Sequence, residues 1–159
     1  MSFSFKEGGS TISQQLIKNT QLSGEKTIKR KLTEIKLTKK LEQKYSKKEI
    51  LEYYLNTVYF GKSYYGIENA AQGYFDKKTE NLTVNESAVL AAVVKSPNYY
   101  TSESNGEKLL SRRNLVLEKM FEQGYIKGYE LNKPSHPKTL VFRRNCLNIK
   151  LCRFWKQLF

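Results

Sequence analysis

The apolar run Ala88–Val94 constrains the fold of this chain more than any other segment. Thr83 and Glu86 precede it with the spacing of a capping box, and Ser96-Pro97 stops it. The run holds seven apolar residues, whereas a membrane-spanning helix needs about 20. We therefore predict a buried central helix against which the rest of the chain packs.

Helix signals recur along most of the sequence. Ser46 and Glu49 form another capping box, and Gly124 follows a long amphipathic segment. No alternating strand pattern competes with these signals. The sequence therefore predicts an all-α fold. Besides the central run, the predicted helices span Ser10 to about Leu22, about Glu25 to Lys44, Ser46 to Asn56, Ile67 to Tyr74 and Glu107 to Gln123.

Charge is the most unusual bulk property of the chain. Its 159 residues carry 28 Lys+Arg against 15 Asp+Glu, a net charge of +13. Such a surplus points to an anionic partner, which could be nucleic acid, an anionic membrane surface or a phosphorylated substrate. Apolar residues make up 39%, below the roughly 45–50% of a typical globular domain. We expect a thin or incomplete core and no transmembrane helix.

The segment that follows Gly8-Gly9 is suited to binding an anion. Hydroxyl residues stand where a helix would begin, and two amides and a lysine follow on its first turns. The start of a helix presents unpaired N–H groups and a partial positive charge. A plain capped amphipathic helix would give the same local pattern. The candidate binding residues are Ser10, Thr11, Gln14, Gln15 and Lys18.

A second candidate site lies within Lys29–Ile35. Arg30 and Glu34 are four residues apart and share a helix face, with Lys31 beside them. Arginine presents a fork of donors that suits phosphate oxygens. The alternative is a solvated ion pair, worth only a few tenths of a kcal/mol (~0.2–0.5).

The two segments together resemble a known family. GGSTISQQLIKN and RKLTE are similar to the GGSTITQQ and RKxxE motifs of the family 51 glycosyltransferases, the peptidoglycan-polymerising domains of penicillin-binding proteins and of monofunctional transglycosylases. Lys48–Asn56 resembles the KxxILExYLN motif, in which the lysine is either Lys47 or Lys48. Leu82–Ala92 resembles LTxxEAAxLA, with Ser87 in place of the usual alanine. The resemblance covers about Glu7 to Ile126.

The resemblance implies a lysozyme-like helical domain with a smaller, membrane-proximal lobe. It implies lipid II and the growing glycan strand as substrates, an anionic membrane surface as a further partner, and a place at the outer face of the cell membrane. Undecaprenyl pyrophosphate is then the leaving group, which Lys18, Arg30 and Lys31 would bind. Glu34 would act by orienting Arg30 or Lys31, or through a divalent metal (Mg or Mn). No nucleic acid is expected.

Two parts of the sequence depart from the family pattern. Its opening motif, EDxxFxxHxG, carries the proposed general base, and the seven residues before Gly8 do not contain it. We expect 1–132 to be an N-terminally truncated glycosyltransferase domain, nearly inactive alone. We expect 133–159, which holds seven Lys/Arg and both cysteines, to be an atypical tail outside the fold. A truncated or frame-shifted gene is the preferred explanation, and a basic membrane-binding end is the alternative.

Three other functions fit parts of the same sequence. A non-catalytic basic helical module could bind nucleic acid, although no nucleic-acid motif accompanies the charge. A degenerate relative could keep binding lipid pyrophosphate without turnover. A lysozyme-like hydrolase would need a protonated acid, and Glu34 is a poor candidate because neighbouring cations keep a carboxylate ionised.

Overall fold

The computed structural model describes residues 10–21 and 27–127. In this part of the chain no strand is present, and an isolated bridge joins Tyr59 to Tyr65. The prediction of an all-α fold is confirmed. The predicted tail, 133–159, and its boundary at residue 132 lie outside the described residues. The helices are α1 (Ile12–Gln21), α2 (Ile28–Lys44), α3 (Lys47–Thr57), α4 (Ile67–Phe75), α5 (Val84–Val94), α6 (Pro97–Tyr100) and α7 (Gly106–Glu122).

Both predicted capping boxes are formed. At α3, the Ser46 backbone N–H donates to Glu49 at 2.8 Å and the Glu49 N–H donates to the Ser46 hydroxyl at 3.3 Å. Thr83 and Glu86 make the same two bonds at the start of α5. The Ser46 hydroxyl and N–H lower the pKa of the Glu49 carboxyl, since both bonds favour its charged form.

The described residues divide into two compact units, the first ending at Thr57 and the second beginning at Val58. In the first unit, α1 packs against both α2 and α3. Its buried apolar side chains come from one face of α1 and one face of α3. They are Leu16, Ile17, Ile50, Leu51, Tyr54 and Leu55.

The second unit is built on the predicted central helix. Helix α5 packs against α7 along much of its length and also contacts α6. Ala88, Leu90 and Val93 of α5 are fully buried, as predicted for this run. Leu109 and Leu117 of α7 are almost completely buried.

The second unit begins with a tyrosine-bearing loop, which follows α3 and leads to α4. The Phe60 N–H donates to the Tyr64 carbonyl at 2.9 Å, and Gly61 has φ of +89°, a conformation that favours glycine. Tyr64 turns inward and packs edge-on against Tyr74. A Cβ at Gly73 would lie 2.2 Å from the Tyr64 ring, so only glycine leaves room for that ring.

Helix α2 faces the core with its polar side. It begins at Ile28, where the Thr27 hydroxyl accepts from the Arg30 N–H; the expected start near Glu25 lies outside the described residues. Glu34 and Thr38 are its buried residues. Of the four apolar residues at helical spacing along α2, Ile28, Leu32 and Ile35 are exposed by 84%, 63% and 48%, and Leu41 is half-buried. Among the described helices, none is both long and apolar enough to cross a membrane.

Ser87 offers a test of the packing around α5. Its hydroxyl is buried and has no hydrogen-bond partner among the described residues, at the position where the family motif has alanine. We expect Ser87→Ala to raise the free energy of unfolding by about 1 kcal/mol more than Ser111→Ala does, because it removes an unsatisfied buried oxygen. Urea unfolding of the two variants measures the difference.

Ser111→Ala is the matched control, since Ser111 is an exposed residue within α7 and gains the same helix propensity. A gain no larger for Ser87→Ala than for Ser111→Ala would mean that the buried hydroxyl is satisfied.

Candidate functional site

The start of α1 brings three of the predicted residues onto one helix face. The Thr11 hydroxyl accepts from the Gln14 N–H at 3.2 Å and so caps the helix. Lys18 follows Gln14 by four residues, and the spacing of Thr11, Gln14 and Lys18 places all three side chains on the same side of α1. Ser10 and Lys18 are exposed. This face therefore offers hydroxyl, amide and ammonium groups to a solvent-borne ligand.

Gln15 makes hydrogen bonds with both ends of its side chain. Its amide nitrogen donates to the Ser10 carbonyl at 3.2 Å, and its carbonyl oxygen accepts from the Tyr54 hydroxyl of α3 at 3.1 Å. Both ends of the side chain are thus engaged by the protein. The prediction that Gln15 binds substrate is not tested, but these bonds show that it ties the segment before α1 to α3.

Glu34 forms the charged centre of the site on α2. The carboxylate is only 2% exposed, its Oε1 contacts the Lys31 ammonium, and its Oε2 lies 3.6 Å from Arg30 Nη1. A buried carboxylate is strongly disfavoured unless cations and donors surround it. Arg30, Lys31 and Glu34, which the sequence places on one helix face, therefore form a cluster in which one carboxylate holds two cations.

Arg30 keeps a donor for another group. Its side chain is 18% exposed, and its Nε is buried without a hydrogen-bond partner among the described residues. Buried donors are nearly always paired in native proteins, so an orphaned one requires an explanation. An anionic oxygen bound beside Arg30 would satisfy this donor and match the guanidinium fork.

Sequence reasoning identified the charged residues but missed the bond from Tyr54 to Gln15. Tyr54 lies within the Lys48–Asn56 motif. The partner of its hydroxyl, Gln15, lies 39 residues earlier in the chain, and helical spacing does not reveal a contact at that separation. Lys47 and Lys48 are both exposed at the start of α3, so which of them corresponds to the family lysine stays open.

A divalent metal has no evident ligand set here. Among the described residues, no group of three or more His, Cys, Asp or Glu side chains is placed to hold one. Glu34 is already shared by two cations, whereas protein-bound Mg²⁺ needs several oxygen ligands around it. These residues do not fit a protein-held metal, and the expected cation stays a prediction from the resemblance.

Comparison with known proteins supports the motif assignment. A family model described as transglycosylase matches residues 1–121. Penicillin-binding protein 1A of Aquifex aeolicus is 48% identical over 132 residues, which cover 80% of this chain and 18% of the relative. Penicillin-binding protein 1A/1B of Bacillus subtilis is 48% identical over 128 residues, covering 80% of this chain and 14% of the relative.

The same relationship extends to other bacteria. Penicillin-binding protein 1A of Escherichia coli is 45% identical over 120 residues, covering 76% of this chain and 14% of the relative. The chain thus spans less than a fifth of the length of these curated relatives.

Burial of the Tyr54 phenol predicts a pH effect on stability. Burial raises the pKa of the Tyr54 phenol to about 12, compared with about 10 for an unfolded tyrosine. Between these values the folded chain keeps a proton that the unfolded chain loses, so the free energy of unfolding falls as pH rises. We expect Tyr54→Phe to cost about 1 kcal/mol at pH 7 and to flatten this alkaline decline.

Denaturant titrations at pH 7 and across the alkaline range would measure both effects. Tyr53→Phe is the control, because Tyr53 is the exposed neighbour on α3. Its free energy of unfolding should depend on pH in the same way as that of the wild type. Equal pH profiles for Tyr54→Phe and wild type would contradict the burial of the Tyr54 phenol, and an unchanged free energy of unfolding at pH 7 would contradict its bond to Gln15.

Proposed function

Because this chain belongs to the transglycosylase family, we propose that it carries the pyrophosphate-binding part of a peptidoglycan glycosyltransferase. The substrate is lipid II, and the product is a β-1,4-linked glycan strand. The observation that carries the proposal is the orphaned Nε of Arg30, next to a buried carboxylate that fixes two cations. The names of the relatives, which are penicillin-binding proteins, support the same class of function.

In the proposed reaction the charged residues act on the leaving pyrophosphate. The acceptor 4-hydroxyl oxygen bonds to the anomeric carbon of the growing strand, the bond to pyrophosphate breaks, and the hydroxyl proton passes to a base. Negative charge grows on the leaving pyrophosphate, and fixed cations there stabilise the transition state. Arg30 and Lys31 are held in place before substrate arrives, and the Thr11, Gln14 and Lys18 face adds polar contacts.

Glu34 is a positioning residue in this proposal. Lys31 and Arg30 engage both oxygens of its carboxylate. Its contribution is to fix the direction of the guanidinium and ammonium groups. The general base is a different group, and none of the site residues named above is assigned that role.

A second proposed partner is an anionic membrane surface. The exposed Ile28, Leu32 and Ile35 share one face of α2, and four further lysines of the helix are exposed around them. An apolar face flanked by cations binds at the interface of a bilayer, and each nearby Lys or Arg adds about 1 kcal/mol on an anionic leaflet. The flanking lysines are Lys29, Lys36, Lys39 and Lys40.

Binding of lipid II tests the pyrophosphate site. We expect Arg30→Ala and Lys18→Ala each to weaken binding of lipid II in detergent micelles by about ten- to a hundredfold, since each removes a charge-assisted contact. Lys36→Ala, an exposed lysine of α2 outside the site, is the control and should change binding little. Unchanged affinity in both site variants would overturn the assignment.

Glu34→Gln separates positioning from simple charge repulsion. The substitution removes a negative charge near an anionic ligand, so repulsion alone predicts tighter binding. The proposal predicts weaker binding, because Arg30 and Lys31 lose the group that orients them. Circular dichroism of the variant checks that it is folded, and tighter binding by a folded variant would contradict the positioning role.

Vesicle sedimentation tests the membrane face. We expect Leu32→Ser to weaken binding to vesicles containing phosphatidylglycerol by about tenfold, because it removes one buried apolar side chain from the bound state. Leu115→Ser is the matched control, since Leu115 is an exposed leucine of α7 in the other unit. If both variants lose binding equally, the α2 face is not the contact.

A further inference from the structure

The core of the first unit contains a tyrosine hydroxyl that the proposed reaction does not use. Tyr54 lies within α3 and is 2% exposed. A phenylalanine would fill the same space with its ring, so packing alone does not account for the hydroxyl. Burying a hydroxyl costs free energy unless it is hydrogen-bonded. The group that this hydroxyl binds therefore indicates its role.

The hydrogen bond of Tyr54 leads from the core to the start of α1. Its hydroxyl donates to Gln15 Oε1 at 3.1 Å, and Gln15 Nε2 donates to the Ser10 carbonyl at 3.2 Å. Gln15 is half-buried and Ser10 is exposed. We call these three residues, Tyr54, Gln15 and Ser10, the Tyr54 relay. It connects a buried phenol with the exposed end of the candidate anion-binding segment.

The two bonds of the relay fix the orientation of the Gln15 amide. An amide group accepts through its oxygen and donates through its nitrogen. If the amide were turned over, its oxygen would face the oxygen of the Ser10 carbonyl, and two acceptors repel each other. The Tyr54 hydroxyl must therefore be the donor. Burial raises the pKa of this phenol to about 12, so it keeps its proton at neutral pH.

Holding the Ser10 carbonyl fixes the peptide unit that leads into α1. Because a peptide bond is planar, the Ser10 carbonyl and the Thr11 N–H turn together. Thr11 is exposed, and its hydroxyl caps α1 by accepting from the Gln14 N–H at 3.2 Å. The start of a helix attracts anions. The relay thus lets a side chain of α3 set the position of polar groups that a solvent-borne anion can reach.

Tyr74, another buried tyrosine, shows a different use of a phenol hydroxyl. It is 1% exposed, and its hydroxyl donates to the Phe60 carbonyl at 2.8 Å. Phe60 is itself fully buried, so this bond joins two parts of the core of the second unit. The bond of Tyr54 instead reaches a residue that holds exposed backbone. The two tyrosines therefore allow a purely structural hydroxyl to be compared with one that supports a site.

We propose that Tyr54 is a positioning residue for pyrophosphate binding, which acts through Gln15 on the Ser10–Thr11 peptide. The role rests on the proposed function, whose substrate supplies the pyrophosphate. Tyr54 is buried and acts without touching the ligand. Polar groups that are held in place before a ligand arrives lose less entropy when it binds, so the relay raises affinity for the anion.

Binding of lipid II in detergent micelles to the full chain tests this role. We expect Tyr54→Phe to weaken binding about fivefold, the factor that corresponds to one lost hydrogen bond. In a Gln15→Ala background the same change should have no further effect, because the group through which Tyr54 acts is gone. An equal loss in that background would overturn the proposal.

Tyr74→Phe is the matched control, since it removes a buried hydroxyl bond in the other unit. We expect it to lower the free energy of unfolding about as much as Tyr54→Phe does and to leave the affinity for lipid II unchanged. A similar loss of affinity in Tyr74→Phe would show that binding follows stability alone, and the positioning role would be wrong.

NMR of the chain without ligand gives a second readout. The backbone amide resonance of Thr11 should shift in Tyr54→Phe and stay in place in Tyr74→Phe, because only the first change releases the Ser10–Thr11 peptide. A Thr11 resonance that does not move in Tyr54→Phe would contradict the relay.

Arg30→Ala separates failure of this inference from failure of the proposed function. If Arg30→Ala weakens lipid II binding and Tyr54→Phe does not, the positioning role is wrong and the proposed function stands. If the Arg30→Ala and Lys18→Ala changes both leave binding unchanged, the pyrophosphate site is wrong, and the positioning role falls with it.

Discussion

Helix α2 carries a carboxylate that is removed from water, and a buried carboxylate needs cations around it. Glu34 meets that need with Lys31 and Arg30, from its own helix. Satisfying Glu34 in this way keeps the polar side of α2 against α1 and α3. The apolar residues Ile28 and Leu32 must then face outward, so one buried charge sets both the candidate anion site and the exposed apolar face.

The two candidate surfaces on the first unit therefore have a common origin. Arg30 is directed by Glu34 and keeps a buried donor with no described partner, which favours a phosphate oxygen. The outward side of α2 joins apolar side chains to lysines, which favours an anionic bilayer. A lipid-linked pyrophosphate presents both kinds of chemistry in one molecule, because its phosphates lie where its lipid tail enters the membrane.

The second unit is organised by packing. Helix α5 is fixed by its capping box and by burial of Ala88, Leu90 and Val93. The loop before α4 depends on a close approach between Gly73 and the Tyr64 ring. Because Tyr64 turns inward there, its neighbour Tyr65 is left facing solvent. The exposure of Tyr65 is thus a consequence of how the loop packs.

The sequence by itself determined the longer helices, the two capping boxes and the family, because these depend on local spacing and on short ordered motifs, whereas the short helix α6 was not predicted. Thr83 with Glu86, and Arg30 with Glu34, are three and four residues apart, so the helix places them together. Only the tertiary structure decided that α2 faces the core with Glu34, that Gln15 is braced by Tyr54, and that Tyr59 reaches Asn98. Each of these depends on burial or on contacts between different elements, which helical periodicity does not encode. In both hydrogen bonds the two partners lie 39 residues apart along the chain.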